Sequence, residues 1–311
     1  MSLVEKALNK MKDAARRAPL EAAQAIPVEP VAASRAELLP TRDSRIVTSS
    51  SSVPRRMLPA DVEVLRAKGY LPPREQEHEL TEQYRHIKRP LVGRAMTLSG
   101  SPLGRRAAII MVTSALPGEG KTFTAINLAR SLVTEQDATV LLIDADVANP
   151  QTTRVFDADA EKGLIDALLD PNLDPNSLIL DTGLGLQFLA VGTHTELGAE
   201  LFSSQRMAEL LDQLLDAVPH RLIVLDSAPV LVTNEGKTLA QLPGQVVLVV
   251  QANSTPQQAV LEAADLFEEN QFVGVVLNQS DEAVGGGQYY GSYGYGGRYG
   301  YGKRNADGKA G

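Results

Sequence analysis

From residue 106 onward, short β-branched apolar runs alternate with stretches of helical period. The runs predict strands over Ala107–Thr113, Thr139–Ile143, Leu186–Val191, Arg221–Leu225, Gln245–Val250 and Val273–Leu277. The stretches between them predict helices over Thr122–Glu135, Gly163–Leu169, Ser203–Ala217, Glu235–Gln241 and Pro256–Glu269. Strands alternating with helices imply βαβ units, so the expected class is α/β with a mostly parallel sheet flanked by helices. Val246–Val250 is apolar at every position, as expected of a strand covered on both faces.

The flanks read differently. Residues 2–17 place Leu3, Val4, Ala7, Leu8 and Met11 at helical spacing between Lys and Arg, and Ser2 with Glu5 fits a capping box. A helix of that length is marginal alone and needs a surface, lipid or protein, to lie on. Residues 18–60 are rich in Pro, Ala and Ser, show no period, and read as a flexible linker. The stretch 61–104 is helical around Pro72-Pro73, with a charged second piece that should stop at Pro90. The predicted organisation is therefore an amphipathic helix at 1–17, a linker at 18–60, a helical docking or oligomerisation segment at 61–104, a catalytic domain at 105–280 and a tail at 281–311.

That tail holds GGGQYYGSYGYGGRYGYG, with six of the eight tyrosines: Tyr289, Tyr290, Tyr293, Tyr295, Tyr299 and Tyr301. Glycine at this density loses too much entropy on ordering to build a packed element, so a disordered tail is expected.

Composition narrows the chemistry. With 311 residues and 43% hydrophobic content, the chain can bury a real core. It has no cysteine, which excludes disulfides, thiolate metal sites and a cysteine nucleophile. Its four histidines are scattered, with no pair at ligand spacing. The net charge of −8 is uneven. Residues 1–107 carry 19 Lys and Arg against 12 Asp and Glu, whereas residues 108–311 carry 11 against 26. A basic arm suits an acidic surface, and an acidic body argues against nucleic acid as partner. No run approaches the roughly 20 apolar residues of a membrane span, so a cytoplasmic chain without a span is expected.

The strongest motif is Ala115-Leu-Pro117-Gly118-Glu119-Gly120-Lys121-Thr122, after a strand and at the start of a helix. Glycines there turn backbone N–H groups toward one anion, and the helix adds its positive end. Lys121 can reach the β- and γ-phosphates of a nucleotide, and the Thr122 hydroxyl can bind Mg²⁺. These features make the α/β fold a P-loop NTPase. Asp144 and Asp146 stand two apart just past a strand, where one carboxylate can bind Mg²⁺ and the other can accept a proton. Asp226 follows four apolar strand residues, a position suited to holding Mg²⁺ through water. Asn278 ends the last strand and either reads a base edge or merely ends a strand.

These four elements together resemble the bacterial tyrosine kinases (BY-kinases) of exopolysaccharide synthesis and export. The shared pattern is a Pro-Gly-Glu-Gly-Lys-Thr loop, an Asp-x-Asp pair, an apolar-Asp-Ser-x-Pro strand end and a tyrosine-rich tail. The phrases SLVEKALNKMK, TSALPGEGKTFTAINLA and LLIDADVANP look closest to the exosortase-associated tyrosine autokinases.

The resemblance implies a non-specific protein-tyrosine kinase using ATP and Mg²⁺. Lys121, Asp144, Asp146 and Asp226 are its catalytic set, and Thr122, Asp146 and Asp226 lie at the metal. Pro117 to Thr122 and Asn278 lie at the nucleotide, and the six tail tyrosines are acceptors. It also implies a ring-like homo-oligomer contacted through Glu82, Arg85 and Lys88, with the tail in a neighbour's site. A membrane-embedded polysaccharide chain-length or activator protein is the implied partner, holding the chain at the inner membrane face. Ala148 stands where the family carries an arginine, and Arg154 is the nearest substitute. Two other readings stay open. One is a partitioning or division-site ATPase, although Leu116-Pro117 replaces its usual Lys-Gly. The other is a nucleotide-binding adaptor with an adhesive tail.

Overall fold

The computed structural model describes residues 56–98 and 101–280. The helix expected over residues 2–17, the linker up to residue 55 and the tyrosine tail lie outside these residues.

The strands are β1 (Arg56–Met57), β2 (Ile109–Ser114), β3 (Thr139–Ala145), β4 (Leu180–Asp181), β5 (Leu186–Leu189), β6 (Arg221–Ser227), β7 (Gln245–Gln251) and β8 (Phe272–Asn278). They form one sheet in the order β1-β4-β5-β3-β6-β2-β7-β8, parallel except for the β4–β5 pair. The helices are α1 (Val62–Ala67), α2 (Glu77–Thr97), α3 (Pro102–Ala107), α4 (Lys121–Leu132), α5 (Gln151–Val155), α6 (Leu164–Leu169), α7 (Gly198–Ser203), α8 (Gln205–Asp216), α9 (Asn234–Leu239) and α10 (Gln257–Ala264).

Strand alternation divides the core between two faces. On one face Met111, Leu141, Ile143, Ile223, Leu225 and Leu248 pack with Met207, Leu210 and Leu214 of α8. On the other, Ile110, Val112, Val140, Leu142, Val224 and Val249 pack with Ala125, Leu128 and Leu132 of α4. Every residue of β2 and β6 is buried, which is why Ile109–Val112 and Leu222–Leu225 read as unbroken apolar runs.

Three expectations are corrected. Helix α2 does not stop at Pro90 but runs to Thr97. Its buried stripe of Tyr84, Lys88, Leu91 and Ala95 spans both sides of the proline, and Pro90 itself faces solvent. Burial of that stripe outweighs the roughly 3 kcal/mol that an interior proline costs. The linker does not extend to residue 60, because β1 pairs with β4 and the Leu58 and Ala60 amides donate to Asp181 O and Thr182 O. Nor is 61–104 a segment apart. Leu65, Leu71, Tyr84 and Leu91 belong to the same core cluster as β2 and β3.

The helix expected over Ser203–Ala217 is α8, which starts at Gln205 just after the short α7. Ser204 is extended (φ −73°, ψ 150°), and its hydroxyl caps α8 by accepting from the Met207 amide.

Candidate nucleotide and phosphoryl-transfer site

The candidate groups meet at the carboxyl ends of β2, β3 and β6, where open parallel sheets place their ligands. The loop after β2 turns through Gly118 (φ 84°) and Gly120 (φ 94°) into α4. Both angles lie in the left-handed region that glycine enters at little cost. Gly120 is also fixed by space, since a Cβ there would come within 2.0 Å of Asn278 Nδ2. Lys121 and Thr122 open α4, so the helix N-terminus faces the loop.

Asp144 and Asp226 are register partners on β3 and β6, and both are buried. Asp144 accepts from the Asp146 amide (3.1 Å) and the Thr153 amide (2.7 Å). Asp226 Oδ2 accepts from the hydroxyls of Thr122 (2.8 Å) and Thr152 (2.6 Å). Its Oδ1 is buried without a hydrogen-bond partner. Asp146 accepts from the Asn149 amide (3.0 Å) and lies 3.8 Å from Lys121 Nζ.

Burial pushes all three carboxyl groups up. Asp226 rises to about 6, against donation from Thr152 and attraction to Lys121. Asp144 rises well above the usual carboxylate range, through desolvation and then through the charge of Asp226. Asp146 rises by desolvation, opposed chiefly by Lys121. Two buried acids side by side, next to a lysine and a helix N-terminus, form a site pre-set for cations and for proton exchange.

The fit to Mg²⁺ rests on Asp226. An unpartnered buried carboxylate oxygen is costly unless a cation or water completes it. The Thr122 hydroxyl beside it adds a neutral oxygen of the kind this hard cation takes.

Several residues stand where the motif did not foretell. Glu119 is buried, accepting from the Leu116 amide (2.8 Å) and from the Thr255 hydroxyl. Asn278 Nδ2 donates to Glu119 O (2.9 Å). Both side chains are thus engaged with protein, and Pro117 has no N–H to offer an anion. Thr152, Thr153 and Thr255 brace the site, and no motif spacing marked them. Ala148 is exposed, and Arg154 donates to Asn149 Oδ1 (2.8 Å), with its charge felt by Asp146.

Lys88 corrects the proposed subunit contact. It is buried, donating to Ser131 O (2.9 Å) and Thr134 Oγ1 (2.5 Å) and pairing with Glu135 (2.6 Å). It caps the end of α4 and is not presented to a neighbour. Glu82 and Arg85 pair with each other on the surface. The groove of about 620 Å³ between α1 and the start of α2 does not hold the acids; Phe123, after Thr122, borders it.

Residues 110–286 match the CobQ/CobB/MinD/ParA nucleotide binding domain. The chain belongs to this family. Within the CobQ/CobB/MinD/ParA family, its relatives include named bacterial tyrosine-protein kinases. The chain is 28% identical over 200 residues to tyrosine-protein kinase YwqD of Bacillus subtilis, covering 64% of this chain and 80% of YwqD. It is 30% identical over 183 residues to succinoglycan biosynthesis transport protein ExoP of Rhizobium meliloti, covering 57% of this chain but only 23% of ExoP. The solved VpsO kinase domain superposes with a TM-score of 0.54 at 28% identity, covering 67% of this chain and all of that domain. Among the described residues, no helix is long and apolar enough to cross a membrane.

Proposed function

We propose that the protein is an ATP-dependent tyrosine autokinase that phosphorylates its own tail tyrosines and thereby regulates exopolysaccharide synthesis or export. The observation that carries this reading is the buried Asp144–Asp226 pair beside a glycine-turned loop and Lys121. Its relationship to YwqD, ExoP and the VpsO kinase domain supports the choice of substrate class.

Lys121 neutralises the β- and γ-phosphate oxygens and orients them at the α4 N-terminus. Thr122 and Asp226 would hold Mg²⁺, with Asp146 beside them, and the bound ion would supply further charge neutralisation. One of the Asp144–Asp146 pair accepts the proton of the attacking tyrosine hydroxyl; burial raises the proton affinity of both, and Asp146 is the one beside Lys121. The phenolic oxygen forms its bond to the γ-phosphorus as the β–γ bridge bond breaks and ADP leaves.

In this reading transfer runs between subunits of an oligomer, with the tail of one in the site of its neighbour. A membrane-embedded activator of the polysaccharide machinery is the partner, and the protein works at the inner membrane face. The test is incubation of the purified protein with Mg-ATP and phosphotyrosine mapping by mass spectrometry. Phosphate on Tyr289 to Tyr301 is expected. ATP hydrolysis without phosphotyrosine would favour the partitioning-type ATPase.

A further inference from the structure

Glu119 sits in the phosphate loop, where a negative charge weakens anion binding, yet it is 2% exposed and fully engaged. Its two carboxylate oxygens serve different elements. One accepts from the Leu116 amide within the loop, and the other accepts from Thr255, in the turn between β7 and α10. The Thr255 hydroxyl also accepts from the Gln251 amide (3.0 Å) at the end of β7. The Gln251 side chain then donates to Gln279 Oε1 (2.6 Å). A second route closes the circuit, because Asn278 donates to the Glu119 carbonyl and fills the space beside Gly120.

Gln279 is where β8 gives way to the C-terminal segment. It holds a left-handed backbone (φ 53°), which a non-glycine residue keeps only when its surroundings fix it. The strained root of the tyrosine-bearing segment is thus tied by side-chain hydrogen bonds to the loop that would cradle the nucleotide.

We propose that Glu119, Thr255 and Asn278 are positioning residues that hold the phosphate loop in its binding shape before nucleotide arrives and couple it to the tail root at Gln279. The carboxylate takes up the Leu116 amide and locks the turn, so less ordering is left for binding to supply. Coupling of this kind is reciprocal: nucleotide at the loop alters the tail root, and a change at the root alters nucleotide affinity.

The inference rests on the nucleotide-binding part of the proposed function and on no acceptor assignment. The test uses the full chain with Thr255→Val, Thr255→Ser and Gln279→Ala. Amide hydrogen exchange is followed without nucleotide in peptides covering residues 114–120 and 276–280. Thr255→Val should speed exchange in both peptides and weaken Mg-ATP binding about tenfold, and Thr255→Ser should restore both. Gln279→Ala is exposed and leaves the core intact; it should weaken Mg-ATP binding about fivefold. Faster exchange at 114–120 alone, failure of Thr255→Ser to rescue, or unchanged affinity in Gln279→Ala overturns the coupling. A wild type that binds no Mg-ATP removes the nucleotide reading instead, and the exchange comparison still decides the brace.

Discussion

Asp144 and Asp226 occupy the same level of adjacent strands, β3 and β6, and neither reaches solvent. Two carboxylates so placed cannot both ionise cheaply, because each is desolvated and each repels the other. Their energetic cost to the folded chain is the reason to look for a cation there.

That cost has a sign in pH. Both groups have raised proton affinity when folded, Asp226 to about 6, whereas unfolded aspartates titrate near 4. The stability tied to their protonation is fully present below the unfolded value and is lost as pH rises through about 6. Nucleotide-free protein should therefore lose stability as pH rises from about 4 to about 6, by on the order of 3 kcal/mol from Asp226. Asp226→Asn should flatten that fall in urea denaturation curves. An unchanged slope would mean the pair is not ionised against this penalty.

Activity should run the other way. Below about pH 6 the Asp226 carboxylate takes a proton and loses its hold on a cation, so transfer should drop. Asp144→Asn and Asp226→Asn should each reduce phosphotyrosine formation at pH 7.5 by about 100-fold or more. Near-normal rates in both would show that the reaction occurs elsewhere.

Lys121→Met should abolish phosphoryl transfer with the fold retained. Lys121 is 3.8 Å from Asp146 at the mouth of the loop, on the first turn of α4. Circular dichroism and a thermal melt report the fold, and phosphotyrosine reports transfer. Wild-type phosphorylation in this variant would remove the loop from the mechanism.

Lys88→Ala should act on stability. Its ammonium is buried against Ser131, Thr134 and Glu135, and its loss leaves the end of α4 without these partners. A loss of about 1–3 kcal/mol is expected in urea titration. Glu82→Ala and Arg85→Ala, on an exposed pair, should change stability by less than about 1 kcal/mol. If those two variants also leave the oligomeric state unchanged, this face of α2 is not a subunit contact.

Phosphorylation of the six tail tyrosines should loosen the assembly. Each phosphate adds about −1.5 to −2 charges at pH 7 to a chain already at −8. A phosphorylated tyrosine is repelled from a site lined by Asp144, Asp146 and Asp226. Light scattering with Mg-ATP should show dispersal in wild type and none in a variant with all six tyrosines changed to Phe. Identical responses would show that tail phosphorylation does not control assembly.

What the sequence determined by itself follows from local constraints. An anion-binding turn needs glycines, a lysine and a helix start within a few residues, so Gly118 to Thr122 are legible in one dimension. Strands buried on both faces carry a continuous apolar centre, so β2, β3, β6 and β7 stood out. Aspartates at strand ends marked the mouth of the sheet.

The tertiary structure decided what depends on partners distant in the chain. Pro90 reads as a stop because its cost is local, whereas burial of Leu91 and Ala95 against the far side of the fold is not. Lys88 reads as a surface charge until Ser131 and Glu135 are seen to surround it. Glu119 reads as a nucleotide contact until its carboxylate is found on Thr255, 136 residues away. Motif spacing records which backbone turns are possible, and only packing decides which side chains those turns leave free.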